Sequence, residues 1–232
     1  MARNPLIIND GFSPELVDGA EFDGYYEIPI IKPQNMPSIP KEIVPFSLRN
    51  QAKEPSKAIV CFYEHDDKFA DVIRKPLDYI EDLRRFAGVI SPDNSVYRDI
   101  PLTAQICNIY RNRAVGSMFQ RRGLRVYANI RWGDERTYES NTYGKPIAFL
   151  GAPENACVFI GAYGCTRGKD NMKHLKEGIN AMINTLFPKT IIIYGPLPKV
   201  VLDKYQEKTQ IIHFDDWMTY KHKKGGANGG RQ

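Results

Sequence analysis

Residues 87–130 read AGVISPDNSVYRDIPLTAQICNIYRNRAVGSMFQRRGLRVYANI. A short apolar, β-branched run, Ala87–Ser91, passes through a turn-rich stretch into Pro101–Arg122, where Cys107, Tyr110, Ala114 and Met118 recur three and four positions apart. That period marks one buried face of a helix, and Arg121, Arg122 and Gly123 supply its C-terminal signals. A second apolar run, Leu124–Ile130, follows at once. Strand, helix and strand at this spacing form a βαβ unit, whose two strands lie parallel.

Outward from this unit the cadence repeats. Apolar runs at Ala58–Tyr63, Ala156–Ala162, Thr190–Tyr194 and Gln210–Phe214 are near strand length, and several are apolar on both faces, as buried parallel strands are. Pro76–Phe86 reads as a short helix, with a proline for its first turn and Asp78, Glu81 and Asp82 near its positive end. Asn171–Phe187 reads as a longer helix ended by Pro188. Thr137–Leu150 reads as a loop with one short helix, and Val200–Gln206 as a further short helix. The fold class is therefore α/β, a parallel sheet of βαβ units. A doubly wound open sheet of about six strands would satisfy the series. If Tyr26–Ile31 or Glu42–Ser47 joins it, the strand count approaches that of a (β/α) barrel. Polar residues follow almost every strand instead of gathering at one switch point, which favours a barrel-like or partial (β/α) barrel arrangement. Residues 1–42 form an acidic, proline-rich arm, residues 43–216 a single domain, and residues 217–232 a basic, glycine-rich end expected to be mobile.

Of the 232 residues 42% are hydrophobic, enough for one sizeable core. The chain lacks any apolar run of membrane-spanning length, and Met1–Asn4 leads into acidic, turn-rich sequence, so the expectation is a soluble protein of a bacterial cytoplasm with no membrane partner. Cys61, Cys107, Cys157 and Cys165 contain no CxxC pair and are expected as free thiols. A net charge of +5 permits a polyanionic partner without demanding one.

Ligands of parallel α/β folds bind beyond the carboxyl ends of the strands. The residues standing there are Glu64, His65, Asp66 and Asp67, then Asp93 and Asn94, then Arg131, Trp132, Asp134 and Glu135, then Gly164, Cys165, Arg167 and Lys169, then Tyr194 and Gly195, and finally Asp215, Asp216 and Trp217. Asp66, Asp67, Asp93, Asp134 and Glu135 are the candidate catalytic carboxylates, as an acid and base pair or as oxygen ligands of Mg²⁺ or Mn²⁺, with the cofactor left open. Each can instead cap a helix or turn. Asn94, Arg131, Trp132, Tyr194 and the Gly164–Lys169 loop are candidate substrate contacts, with Trp132 for stacking and the cations for an anion. Cys165 is a candidate nucleophile only if a histidine lies near it, and His174 reads as a surface residue. Arg111, Arg113, Arg121, Arg122, Arg125, Arg131 and Arg136 form a basic stripe that could track a nucleic-acid backbone, although such arginines are more often a solvated helix face with partners at a helix C-terminus.

The segments Phe62–Asp67, Phe86–Ser95, Asn129–Glu135 and Ile193–Gly195, with Gly164-Cys165, resemble a family of bacterial and prophage proteins catalogued as domain of unknown function 4417. The resemblance spans Phe62 to Tyr194 and implies a phage or mobile-element setting; it brings no activity or catalytic residues with it. Two functional expectations stand side by side. One is an enzyme acting on a phosphate-bearing or nucleotide-like substrate at the strand ends. The other is a non-catalytic module that binds nucleic acid or a host protein through the arginine-rich helix and Lys221–Lys224.

Overall fold

The computed structural model describes residues 14–228 except 141, 167, 199, 200 and 202. Seven strands make one sheet: β3 (Glu42–Pro45), β4 (Ala58–Cys61), β5 (Gly88–Ile90), β6 (Val126–Asn129), β7 (Cys157–Gly161), β8 (Thr190–Tyr194) and β9 (Gln210–Phe214). All neighbours are parallel and their spatial order is their chain order. A doubly wound sheet needs a reversal of strand order, and this sheet has none; it curls into a half-barrel. Glu42–Pro45 is the segment that joins the series. The piece at Tyr26–Ile31 contributes only β2 (Ile28–Pro29), paired antiparallel with β1 (Phe22–Asp23) outside the main sheet.

Alternation along each strand sends side chains to two faces. The concave face carries Ile59, Cys61, Tyr63, Ile90, Tyr127, Phe159, Ile192 and Tyr194, a buried cluster of its own. The convex face carries Val44, Val60, Val89, Val126, Val158, Ile160 and Ile193, packed with the helices. Of these helices α1 (Ala70–Arg74), α2 (Ile80–Leu83) and α4 (Glu135–Tyr138) are short, whereas α3 (Leu102–Arg121) and α5 (Lys169–Leu186) match the two long periodic segments. The expected helix over Pro76–Phe86 is split into a 3₁₀ turn, Pro76–Tyr79, and α2. The Val200–Gln206 segment falls partly outside the described residues.

Both terminal segments are held to the sheet domain. The arm is anchored from Leu16 onward, since Ile28 and Ile31 are fully buried and Arg121 donates to the Leu16 carbonyl at 2.6 Å. Trp217–Asn228, expected as part of a mobile tail, is helix α6. Asp216 caps it, accepting from the Met218 and Thr219 amides, and Trp217 is buried. The Tyr220 hydroxyl donates to Glu42 Oε2 at 3.2 Å, so the helix that follows the last strand reaches the first.

Arg113 belongs to the supposed basic stripe and yet is among the largest fully buried side chains. Its guanidinium donates to the carbonyls of Asn129 (2.6 Å), Leu150 (3.0 Å) and Ala148 (3.1 Å), and burial lowers its pKa to about 10. It ties α3 to the end of β6 and to the 3₁₀ turn Ile147–Phe149. Arg113→Met should lower stability by about 3 kcal/mol or more, because three buried carbonyls lose a charged donor. Urea unfolding of the variant against the parent measures this, and a loss under ~1 kcal/mol would show that water replaces the guanidinium.

Candidate functional site

The rings on the concave face fill the lower half-barrel. Tyr63 stacks on Tyr194 at 5.4 Å between centroids, across the sheet from β4 to β8. Gly161 makes room for it, since a Cβ there would stand 2.4 Å from Tyr63 Cδ1. Above these rings, at the carboxyl ends of β4 to β7, a cavity of about 420 Å³ opens. Its wall includes Tyr63, Glu64, His65, Asp93, Ser95, Tyr97, Arg98, Arg131, Trp132, Tyr163, Cys165, Asn171 and His174.

The cavity is organised around one ion pair. Arg131 Nε donates to Asp93 Oδ1 at 2.8 Å, and Nη2 to Asp93 Oδ2. The side chains are 17% and 5% exposed, so both charges are largely desolvated. Asn129 Nδ2 adds a bond to Asp93 Oδ1 at 2.6 Å, and the Tyr63 hydroxyl donates to Asn129 Oδ1 at 3.1 Å. Arg131 Nη1 donates to Cys165 Sγ at 3.1 Å and to the Gly161 carbonyl at 3.3 Å. Burial opposes the charge of Arg131, but the Asp93 carboxylate more than offsets it and holds the guanidinium pKa well above its usual value. Burial, reinforced by the Asp93 charge, pushes the Tyr63 hydroxyl well up. A carboxylate whose oxygens take a guanidinium and an amide is a structural counter-ion at the cavity floor.

The other candidate carboxylates do not converge with Asp93. Asp66 accepts from the Ser95 amide (3.1 Å) and hydroxyl (2.8 Å), tying the loop after β4 to the loop after β5. Asp134 caps α4 through the Arg136 amide and pairs with the Arg136 side chain, a hydrogen bond that lowers its pKa. Asp67 is exposed on the 3₁₀ turn Asp66–Lys68, and Glu135 is exposed on α4 with Oε2 3.7 Å from His174 Nδ1. Among the described residues no group of three or more His, Cys, Asp or Glu side chains is placed to hold a metal ion.

Of the expected substrate contacts, Arg131, Trp132, Gly164 and Cys165 reach the cavity. Asn94 is instead bound to Asn112 of α3, and Tyr194 lies in the ring layer, where its hydroxyl accepts from the Trp217 amide. Lys169 is exposed at the start of α5, and Arg167 lies outside the described residues. Trp132 is both core and wall: it is 9% exposed, and its Nε1 donates to the His174 carbonyl at 3.0 Å. Gly178 admits the indole against α5, since a Cβ there would come within 2.1 Å of it. Tyr63, Tyr97, Tyr163, Asn171 and His174 were missed as site residues. The spacing of Asn171 and His174 on one side of α5 was the available signal; for the tyrosines there was none.

A family model described as a domain of unknown function (DUF4417) matches residues 20–215. The chain belongs to this family. The match extends well beyond the Phe62–Tyr194 stretch that carries the resemblance, into the arm and through β9. Two relatives are phage proteins. The Gene 1 protein of Mycobacterium phage D29 is 25% identical over 84% of this chain and 67% of its own length. The Gene 1 protein of Mycobacterium phage L5 is 23% identical over 76% of this chain and 74% of its own. No solved structure matches. Among the described residues no helix is long and apolar enough to cross a membrane.

The ion pair yields a prediction with two arms. Asp93→Ala leaves Arg131 buried without its counter-ion and should cost about 3–5 kcal/mol, whereas Asp93→Leu combined with Arg131→Met should recover much of that loss. Urea unfolding of the variants reads both. Single and double variants of equal stability would mean that the charges are hydrated in place.

Proposed function

We propose that this phage-family protein is an enzyme whose substrate is a phosphate-bearing, nucleotide-like small molecule held in the cavity at the carboxyl ends of β4 to β7. The observation that carries the reading is the composition of the wall. Four aromatic side chains (Tyr63, Tyr97, Tyr163, Trp132) and two arginines (Arg98, Arg131) surround a space the size of a small-molecule site. Flat rings suit a planar base, and the Arg98 guanidinium suits a phosphate, Arg131 being committed to Asp93. Of the two carboxylates in the wall, Asp93 is neutralised by Arg131, and Glu64 accepts from the Ser47 amide and hydroxyl. Arg98 donates one Nη2 bond to Asn171 Oδ1 at 2.7 Å and is otherwise exposed at the rim, which makes it the phosphate contact on this reading.

The rival reading, an arginine-rich nucleic-acid surface, has weaker support. Arg113 is buried, Arg121 bonds Ser117 and the Leu16 carbonyl, Arg125 bonds the Ala87 carbonyl, and Arg136 pairs with Asp134. Several arginines of the stripe are therefore committed to partners within the fold.

Titration with AMP, adenosine and ribose 5-phosphate, followed by the fluorescence of the wall tryptophan, tests the proposal. Saturable quenching by AMP is expected. Arg98→Ala should weaken AMP by about tenfold, the worth of one charge-assisted hydrogen bond, and leave adenosine nearly unchanged. Quenching by none of the three up to millimolar concentration would sink the substrate class.

A further inference from the structure

His174 lies near the start of α5 and lines the cavity next to Trp132, with its side chain 15% exposed. Its Nδ1 is 2.9 Å from the Tyr138 hydroxyl, and that hydroxyl donates to Glu177 Oε2 at 2.7 Å. Glu135 Oε2 approaches the same ring nitrogen at 3.7 Å. A phenol has one proton to give, and a carboxylate can only accept. Burial, reinforced by the bond to Glu177, pushes the Tyr138 pKa up, so the phenol keeps its proton and spends it on Glu177. The phenol oxygen therefore faces His174 as an acceptor, and Nδ1 must carry a hydrogen. In a neutral imidazole the lone pair is then on Nε2. Among the described residues Nε2 has no hydrogen-bonding partner.

The ring is also held in place through its backbone. Trp132 Nε1 donates to the His174 carbonyl, and the indole is seated against Gly178 one turn further along α5. A buried tyrosine and a glutamate thus set the tautomer of a histidine in a cavity wall, the arrangement by which a general base is oriented through a third group.

We propose that His174 is the proton acceptor of this cavity, taking a hydrogen bond, and in the reaction the proton itself, from a hydroxyl of the bound molecule at Nε2. The inference rests on the reading of the cavity as a substrate site and assigns the group that acts there. In the step, the O–H bond of the substrate breaks, its electron pair stays on the oxygen, and the proton forms an N–H bond at Nε2. The imidazolium cation keeps Nδ1–H on Tyr138, beside the Glu135 carboxylate, and releases the Nε2 proton to water to restore the neutral ring. Tyr138 and Glu177 are positioning residues.

The tautomer can be read without any ligand. In full-length protein labelled with ¹⁵N-histidine, at a pH where the ring is neutral, His174 should show a protonated Nδ1 and a bare Nε2. Tyr138→Phe, with unchanged circular dichroism, should move it toward the Nε2–H form that free imidazole prefers. A wild-type Nε2–H ring, or a tautomer indifferent to Tyr138→Phe, overturns the proposal. Diethyl pyrocarbonate should acylate His174 at Nε2, about tenfold more slowly in Tyr138→Phe because the lone pair is no longer held there. An inert His174 in the wild type overturns the proposal as well. AMP separates the two inferences. If it quenches tryptophan fluorescence but leaves the Nε2 resonance unmoved, the proton acceptor is wrong and the cavity reading stands. If AMP does not bind while tautomer and acylation are as expected, the substrate class fails and the assignment of His174 is supported.

Discussion

Asp93 and Arg131 meet where three adjacent strands of a curled parallel sheet end, and their geometry governs what the open end of the half-barrel can be. Asp93 follows β5, Arg131 follows β6, and Arg131 extends to the Gly161 carbonyl at the end of β7. Burying two charges is costly, and their attraction offsets that cost only when the remaining hydrogen-bonding capacity is met. Asn129, Gly161 and Cys165 meet it here. The pair has little freedom to rearrange, so it gives the cavity a rigid floor whose charges nearly cancel. The charged groups left in the wall are Arg98, exposed at the rim, and Glu64, which accepts from Ser47.

The floor is supported from below by side-chain volume. A sheet curled this far must fill its concave face, and Tyr63, Tyr127, Phe159 and Tyr194 do so with rings, Tyr63 against Gly161 and Tyr127 against Gly88. Tyr63 belongs to both systems: its ring packs on Tyr194, and its hydroxyl reaches Asn129 and so Asp93. The ring layer fills the middle of the half-barrel, with one cavity above it at the carboxyl ends beside the Asp93–Arg131 pair and a second, of about 220 Å³, at the amino ends against Ile59 and Tyr127. Helix α6 spans from β9 toward β3, where the half-barrel has no paired strand.

The strand-end carboxylates show why a site is harder to read than a fold. Asp66, Asp93 and Asp134 follow strands in the same way and look alike in sequence. In the structure Asp66 holds a turn, Asp134 caps a helix, and only Asp93 reaches the cavity. A capping role is satisfied by amides within a few residues or by a neighbouring loop, so it competes for each carboxylate separately. The guanidinium that claims Asp93 is 38 positions away. His174 was misjudged for the same reason, since its partner Tyr138 belongs to a different short helix 36 positions earlier.

The sequence by itself determined the α/β class, the parallel sense of the sheet, the two long helices and six of its strands. These follow from hydrophobic period and from the need of a parallel connection to cross over, both local in the chain. The preference for a partial barrel was also legible, because polar residues recur after strand after strand. Tertiary structure alone decided that β3 completes the sheet while Ile28–Pro29 stays outside it, that Arg113 is interior, and that Trp217 begins a helix. It also decided which polar residues share a cavity. Such outcomes depend on where a side chain from one βαβ unit meets another, and sequence period carries no information on contacts between units.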